Sequence, residues 1–384
     1  MKAKMLLVIA IITFALGVVA KDSFAIAAWA RKYGADCTMC HWNVNKLNKT
    51  GQDFLRMGHM MANEEAGKNL SDYASFTGKV RFNAEDKKIS SFEQHAFSLY
   101  TGGALGSGFS YFAEMYFHEN SGKNSGTSDF NDFARSKLAE AFIQYTTGDE
   151  KSYTTVRFGQ ILSQLLYIHG TGGRLGKDRS LALTSVVGSN PYKPFQRNYG
   201  IELSHKCSWN VMASLGVVNG TGASNFNVVD NNNFKDVYVT ADYELDSDGS
   251  IVGMYGYIGQ APMTGFDDNF YQVGPMFNYF TSTWTLTGLL LSGRNTKNAG
   301  ADKQYSLGGY LEVGYKLLSD VVTPYVRYDY FDSNTEKTVD ETQGPVMGLV
   351  WRPYMYGRFV GEYTLSQASA KNTNKFSIEA QYMF

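Results

Sequence analysis

The sequence predicts an all-β protein, an exported antiparallel β-barrel of about 16 strands of the kind that spans an outer membrane. Three observations carry that expectation. The chain opens with an export leader. Its body alternates polar and apolar residues with a period of two. The connections between alternating segments are by turns short and long. Composition agrees: of 384 residues, 39 are Gly, 26 Tyr and 25 Phe, only 7 are Pro, and charged residues make up 18%. Soluble domains usually carry about a quarter charged residues. A formal net charge of −1 gives nucleic acid no general attraction.

Met1-Lys2-Ala3-Lys4 followed by an apolar run from Met5 to Val19 has the basic head and apolar middle of a signal peptide. Cleavage after Ala20, with Val18 at −3, and after Ala25, with Ser23 at −3, both fit. The run is short for a helical span, which takes about 20 residues, and no later stretch reaches ~18 apolar residues. Residues 1–25 are expected to be a leader.

Just beyond lies Cys37-Thr38-Met39-Cys40-His41. Cys-x-x-Cys-His is the attachment sequence of c-type haem: two thiols add to the vinyl groups, and the adjacent imidazole reaches the iron as proximal ligand. A redox dithiol would need a βαβ setting, and none follows. A zinc site would need two further ligands at short spacing, and the third cysteine, Cys207, is far away. One covalent haem c is therefore expected, on Cys37, Cys40 and His41. The sixth ligand is open among His59, Met60 and Met57, with Met61 close by. Met39, between the thiols, is too constrained to loop back. Met ligation would raise the haem potential relative to two imidazoles. Should the haem sit inside the barrel, His95, His118, His169 or His205 are further candidates, and an open site is another.

Leu47, Gly51, Phe54, Leu55 and Gly58 fall at i, i+4, i+7, i+8 and i+11, one face of a helix. The glycines would allow close approach of a backbone or a porphyrin. The segment 26–72 is too small to bury a core alone, so it should sit inside or against the barrel.

From about Ser75 the period becomes two. Clear examples are Ser152–Gln160, Asp236–Leu245, Pro324–Tyr330 and Lys375–Phe384. In the last, Phe376, Ile378, Ala380, Tyr382 and Phe384 share one face. Short connections fall near Gly148–Glu150, His205–Cys207, Asp246–Asp248, Thr281–Ser282, Leu318–Asp320 and Pro353–Tyr354. Long polar ones fall around Asn120–Arg135, Asn219–Phe234, Ala261–Asn269, Asn295–Lys303, Asp332–Glu341 and Ser369–Asn374. Ser180–Val187 looks like a strand, but strands counted forward from a periplasmic N-terminal segment and backward from Phe384 agree only if 162–197 is a single outer loop. The barrel then occupies 73–384. That loop is expected either to fold into the lumen or to cap it.

The N-terminal segment resembles the fused cytochrome–porins, which include outer-membrane iron oxidases of iron-oxidising bacteria. The resemblance rests on Trp29-Ala30-Arg31, Gly34, the haem motif, and the trailing Leu47, Gly51, Phe54 and Gly58, over about Ile26 to His59. Family members usually carry Pro before the aromatic-Ala-Arg run and another after the haem motif; this chain has Ala27-Ala28 and Asn45 there. Thr50 and His59 stand where aromatics are usual. The resemblance implies electron transfer through the outer membrane. The expected function is oxidation of extracellular ferrous iron, with electrons passed to a periplasmic c-type cytochrome, as a ferrous iron:cytochrome oxidoreductase. The rivals are an outward conduit to extracellular acceptors and a solute porin with a haem plug. A haem peroxidase would need a distal acid–base group, and nothing marks one. Asp129, Asp132, Asp267 and Asp268 are outer-loop carboxylates without ligand spacing, and Arg81, Arg157 and Arg327 are lumen cations available to haem propionates.

Overall fold

The computed structural model describes residues 27–384 apart from 44, 63, 68, 87–89, 120–136, 172, 221–229, 231, 297–301, 319–320, 338–339, 355–356 and 369–370. The expected leader, and Asp129 and Asp132 with it, lie outside the described residues. The barrel opens with β1 (Ala74–Glu85), β2 (Ser91–Gly106), β3 (Phe109–Glu119) and β4 (Lys137–Gly148). It continues through β5 (Tyr153–Ile161), β6 (Asn198–Lys206), β7 (Val211–Val218) and β8 (Asp236–Glu244). Next come β9 (Ile251–Met263), β10 (Phe266–Phe280), β11 (Trp284–Thr296) and β12 (Lys303–Tyr315). β13 (Val322–Asp332), β14 (Glu341–Trp351), β15 (Gly357–Ala368) and β16 (Lys371–Met383) complete it. Neighbours pair antiparallel, and β16 pairs with β1 to close sixteen strands. At that seam Phe384 and Phe76 exchange backbone hydrogen bonds of 2.8 and 3.0 Å, and their rings stack at 5.5 Å.

Alternation creates two unlike faces. On β8, Tyr238, Thr240, Asp242 and Glu244 point inward and are buried, while Val239 and Tyr243 point outward and are exposed. Leu203, Val252, Leu290 and Leu311 continue the outward apolar band. Tyr145, Tyr243, Tyr279 and Trp284 flank it at the end with short turns; Tyr305, Tyr328, Tyr363 and Phe376 flank it at the other. An apolar band between two aromatic girdles is the lipid-facing surface of an outer-membrane barrel. Among the described residues no helix is long and apolar enough to cross a membrane; the strands cross it. The chain is thus a porin-like outer-membrane barrel.

Two expected outer loops are largely strand. β9 and β10 run on to Met263 and from Phe266, so only Thr264 and Gly265 turn between them, with Gly265 at φ +85. At 369–374, β16 already begins at Lys371, paired with Ala368. Polarity misleads there because a strand facing a polar lumen carries polar residues without being a loop. Asp268 is such a case: it faces inward, 2% exposed, and accepts from Asn190 and Asn295 at 2.7 and 2.8 Å. The sequence reading also missed a tight turn at Ser107 (φ 53) and Gly108 (φ 81), the two positive φ values of a type I′ hairpin.

The stretch 162–197 is one connection, as the strand count required, and it folds into the lumen. Gln164 donates to Glu202 at 3.0 Å, His169 shares a hydrogen bond with Tyr310 at 2.7 Å, and Arg358 donates to the Leu175 carbonyl at 2.9 Å. The strand-like Ser180–Val187 holds a single helical turn, Leu181–Thr184, with Ala182 and Leu183 buried.

The N-terminal segment also lies inside. It comprises α1 (Ala27–Tyr33), a 3₁₀ turn (Cys37–Met39), a short hairpin (His41–Asn43 with Lys46–Leu47) and α2 (Lys49–Arg56). Trp42 donates to the Thr281 carbonyl at 2.7 Å and Gln52 to the Gly249 carbonyl at 2.9 Å. Both acceptors sit on short turns, so the segment occupies the periplasmic half. Ion pairs fasten it: Arg56 forks onto both Asp242 oxygens at 2.9 Å, and Lys206 reaches Asp53 and Glu244 at 2.7 Å each. The expected helical face ends early, because α2 stops at Arg56 and Gly58 terminates it.

Candidate functional site

The main chain around the two cysteines is held by short-range polar contacts. The Asp36 carboxylate accepts from the Thr38 N–H at 3.0 Å and caps the 3₁₀ turn. Asn48 does more. Its side-chain oxygen caps α2 at the Gly51 N–H (3.1 Å), its amide donates to the Thr38 and Met39 carbonyls (2.9 and 3.1 Å), and its N–H donates to the Cys40 carbonyl (3.1 Å). Gly51 is required by this packing, since a Cβ there would lie 2.0 Å from the Cys40 oxygen. It admits a backbone.

At the other end of α2, Gly58 (φ 84) donates to the Leu55 carbonyl and His59 (φ 65) to the Phe54 carbonyl, at 3.2 and 2.9 Å. This is the Schellman pattern, with Gly at the left-handed position, and it turns His59 back toward the cysteines. Its ring stacks on Phe112 at 4.0 Å and on Trp29 at 4.9 Å. Trp29 is fixed in turn by a 2.9 Å hydrogen bond to the Gly102 carbonyl.

These residues surround a cavity between the segment and the wall of β16 and β1–β4. It holds about 1430 Å³ of space outside the protein atoms, part of it open to solvent. Cys37, Cys40, His41 and His59 all line it; Leu47, Phe54 and Phe112 give it apolar walls, and Lys79 and Arg174 add cations. The Nδ1 atoms of His41 and His59 are buried without a hydrogen-bond partner, as are Nε and Nη1 of Arg174. Burial, then the Arg352 charge, lowers His41 to about 4; burial and Arg157 hold His59 well below its usual value. Both imidazoles are neutral at physiological pH, the state that ligates metals. Burial pushes the Cys37 and Cys40 thiols up to about 11, so both are protonated at physiological pH, unlike the activated thiolate of a redox dithiol.

These side chains fit a covalent haem. Two thiols and an adjacent imidazole line a cavity with apolar walls, a second imidazole whose Nδ1 has no hydrogen-bond partner lines it too, and Lys79 and Arg174 are basic side chains on its wall for propionates. The remaining candidates lie elsewhere. Met57 packs with Tyr153 and Met212, and Met60, though buried, does not line the cavity. His95 sits beside Glu93, His118 bonds the Gln94 carbonyl, and His169 bonds Tyr310. His205, expected among the inward histidines, faces outward and bonds Thr154, because it alternates with inward Ser204 and Lys206. Arg81, Arg157 and Arg327 do point inward, but Glu379, Glu202 and Asp329 neutralise them. Among the described residues Lys79 and Arg174 are the lysine and arginine that line the cavity, and periodicity alone did not single them out. Among the described residues no three His, Cys, Asp or Glu side chains cluster to hold a metal ion.

No protein-family model and no curated protein matches the chain. Solved structures do. An anion-selective porin from Comamonas acidovorans superposes with a TM-score of 0.59 at 13% identity, covering 81% of this chain and 99% of the porin. The outer-membrane channel DcaP of Acinetobacter baumannii gives 0.56 at 12%, covering 83% and 100%. Salmonella typhi OmpF gives 0.56 at 10%, covering 81% and 97%. At such identities the likeness is one of fold: this chain has the sixteen-stranded barrel of the porins.

Proposed function

We propose that the protein transfers electrons across the outer membrane, carrying one covalent c-type haem in the lumen cavity on Cys37, Cys40 and His41. The carrying observation is that Cys-x-x-Cys-His and His59, whose Nδ1 has no hydrogen-bond partner, line one cavity inside a membrane barrel. A haem there would supply a one-electron ferric–ferrous couple. The chain's own residues do the rest. Trp29 and Phe112 clamp the His59 ring, Lys79 and Arg174 offset acidic groups, and the loop 162–197 excludes bulk water from the outer side. The resemblance of the N-terminal segment to the fused cytochrome–porins points to extracellular ferrous iron as the donor and a periplasmic c-type cytochrome as the acceptor.

The contacts of the N-terminal segment with the short turns at Thr281 and Gly249 favour an attachment site in the periplasmic half of the barrel. Anaerobic addition of ferrous iron to the detergent-purified protein should produce the reduced c-haem bands within the mixing time of a rapid experiment. Bands that appear with dithionite but not with iron would transfer the proposal to an outward conduit.

His59 is the favoured sixth ligand because it alone of the three nearby candidates lines the cavity. Alanine at His59 should convert a low-spin visible spectrum to a high-spin one, whereas Met57→Ala and Met60→Ala should leave the spectrum unchanged. A spectral change in a Met variant and none in His59→Ala would reverse the assignment.

A second reading is a solute channel in which residues 27–62 form a plug. The likeness to anion-selective and other porins favours it. Ion conductance through the unmodified protein at the level of an open porin would select it.

A further inference from the structure

His59 reaches the cavity from a turn, and its ring contacts alone leave its position loosely set. It stacks on Phe112 and Trp29, and stacked rings tolerate offset in the ring plane. Its Nδ1 has no hydrogen-bond partner. The main chain that carries the ring therefore places it, and the barrel wall holds that chain.

Three successive carbonyls at the end of α2 accept from that wall. Arg157 Nη2 donates to the Leu55 carbonyl at 3.4 Å, Gln144 Nε2 to the Arg56 carbonyl at 2.9 Å, and Thr146 Oγ1 to the Met57 carbonyl at 3.3 Å. The last carbonyls of a helix have no partner within it; here side chains of β4 and β5 supply one. Gln144 is the centre of the three. It is 1% exposed, its amide nitrogen also meets Thr146 Oγ1 at 3.0 Å, and its amide oxygen accepts from Arg157 Nε at 2.9 Å. Both ends of the amide are thus committed, the nitrogen toward α2 and the oxygen toward Arg157. The chain passes directly over it: a Cβ on Gly58 would lie 2.9 Å from Gln144 Cδ and 2.2 Å from Ser110 Oγ. His59 follows Gly58. Beyond it the next tether is Glu64, which accepts from the Met61 N–H at 2.7 Å.

We propose that Gln144 is a positioning residue for His59: by fixing the end of α2 from the barrel wall, it aims the imidazole at the haem iron. This rests on the haem reading above. Gln144 does not line the cavity, so its effect passes through the turn at 57–59. An amide is required there because a carboxylate would turn an oxygen toward the Arg56 carbonyl oxygen in place of a donor.

The test is the carbon monoxide affinity of the dithionite-reduced full chain in detergent, since carbon monoxide must displace the sixth ligand to bind. Gln144→Ala and Gln144→Glu should each bind it about tenfold more tightly than the wild type, the scale of one lost hydrogen bond. Gln144→Glu keeps the side-chain shape and an acceptor for Arg157 but loses the donor, so it separates positioning from folding; heat-modifiable gel migration reports the fold. In a His59→Ala background, where the ligand is already gone, neither change should alter the affinity, because both act through His59. Unchanged affinity in the single variants, or a rise that persists without His59, overturns the positioning role and leaves the haem reading standing. A wild type with no covalent haem on a denaturing gel overturns the haem reading and this inference with it.

Discussion

Alanine at both Cys37 and Cys40 should give a barrel that folds and inserts normally yet carries no covalent haem and takes no electrons from ferrous iron. The barrel should survive because neither thiol is structural. Neither forms a disulfide, both are half-buried, and the main chain around them is held by Asp36 and Asn48. Covalent attachment should disappear because the remaining cysteine, Cys207, stands apart from any Cys-x-x-Cys-His setting. Heat-modifiable migration reports the barrel, and a haem stain on a denaturing gel reports the attachment. Iron oxidation at the wild-type rate by this variant would sink the electron-transfer proposal.

Methionine at Arg56 should loosen the segment in the lumen. Arg56 is 1% exposed and is the partner that holds Asp242. Removing one member of a buried pair leaves the other charge stranded, at a cost of about 3–5 kcal/mol. Glu244 keeps Lys49 and Lys206, so the loss falls on Asp242. Planar-bilayer recordings should show small conductance for the wild type and larger, fluctuating conductance for Arg56→Met. Arg56→Met with Asp242→Leu should recover most of the closed behaviour, because no unpaired charge remains. Unchanged conductance in Arg56→Met would mean that this ion pair does not anchor the plug.

Strand identity and number were legible because each strand has an apolar lipid face and a polar lumen face, and β8 or β16 declares this in its own residues. Strand ends were less legible. At Pro262 and Asp267 the chain leaves the hydrocarbon and outward residues become polar while pairing continues, so the period-two signal stops before the strand does. The site divides in the same way. Cys37, Cys40 and His41 stand within five residues, and the proposal of haem attachment rests on their spacing. Lys79, Phe112 and Arg174 come from β1, β3 and the inward loop, and no local pattern brings them together.

The sequence by itself therefore determined a sixteen-stranded outer-membrane barrel and a single outer loop at 162–197, and it puts forward the Cys-x-x-Cys-His stretch as the candidate chemical centre. Each of these depends on neighbours along the chain, through alternation, turn length or ligand spacing. Only the tertiary structure decided that both the N-terminal segment and that loop enter the lumen, and that His59 rather than Met57 or Met60 lines the cavity. Those outcomes depend on which inward charges meet across the barrel, Arg56 with Asp242 and Lys206 with Asp53. Such pairings join residues more than a hundred positions apart and leave no periodic trace.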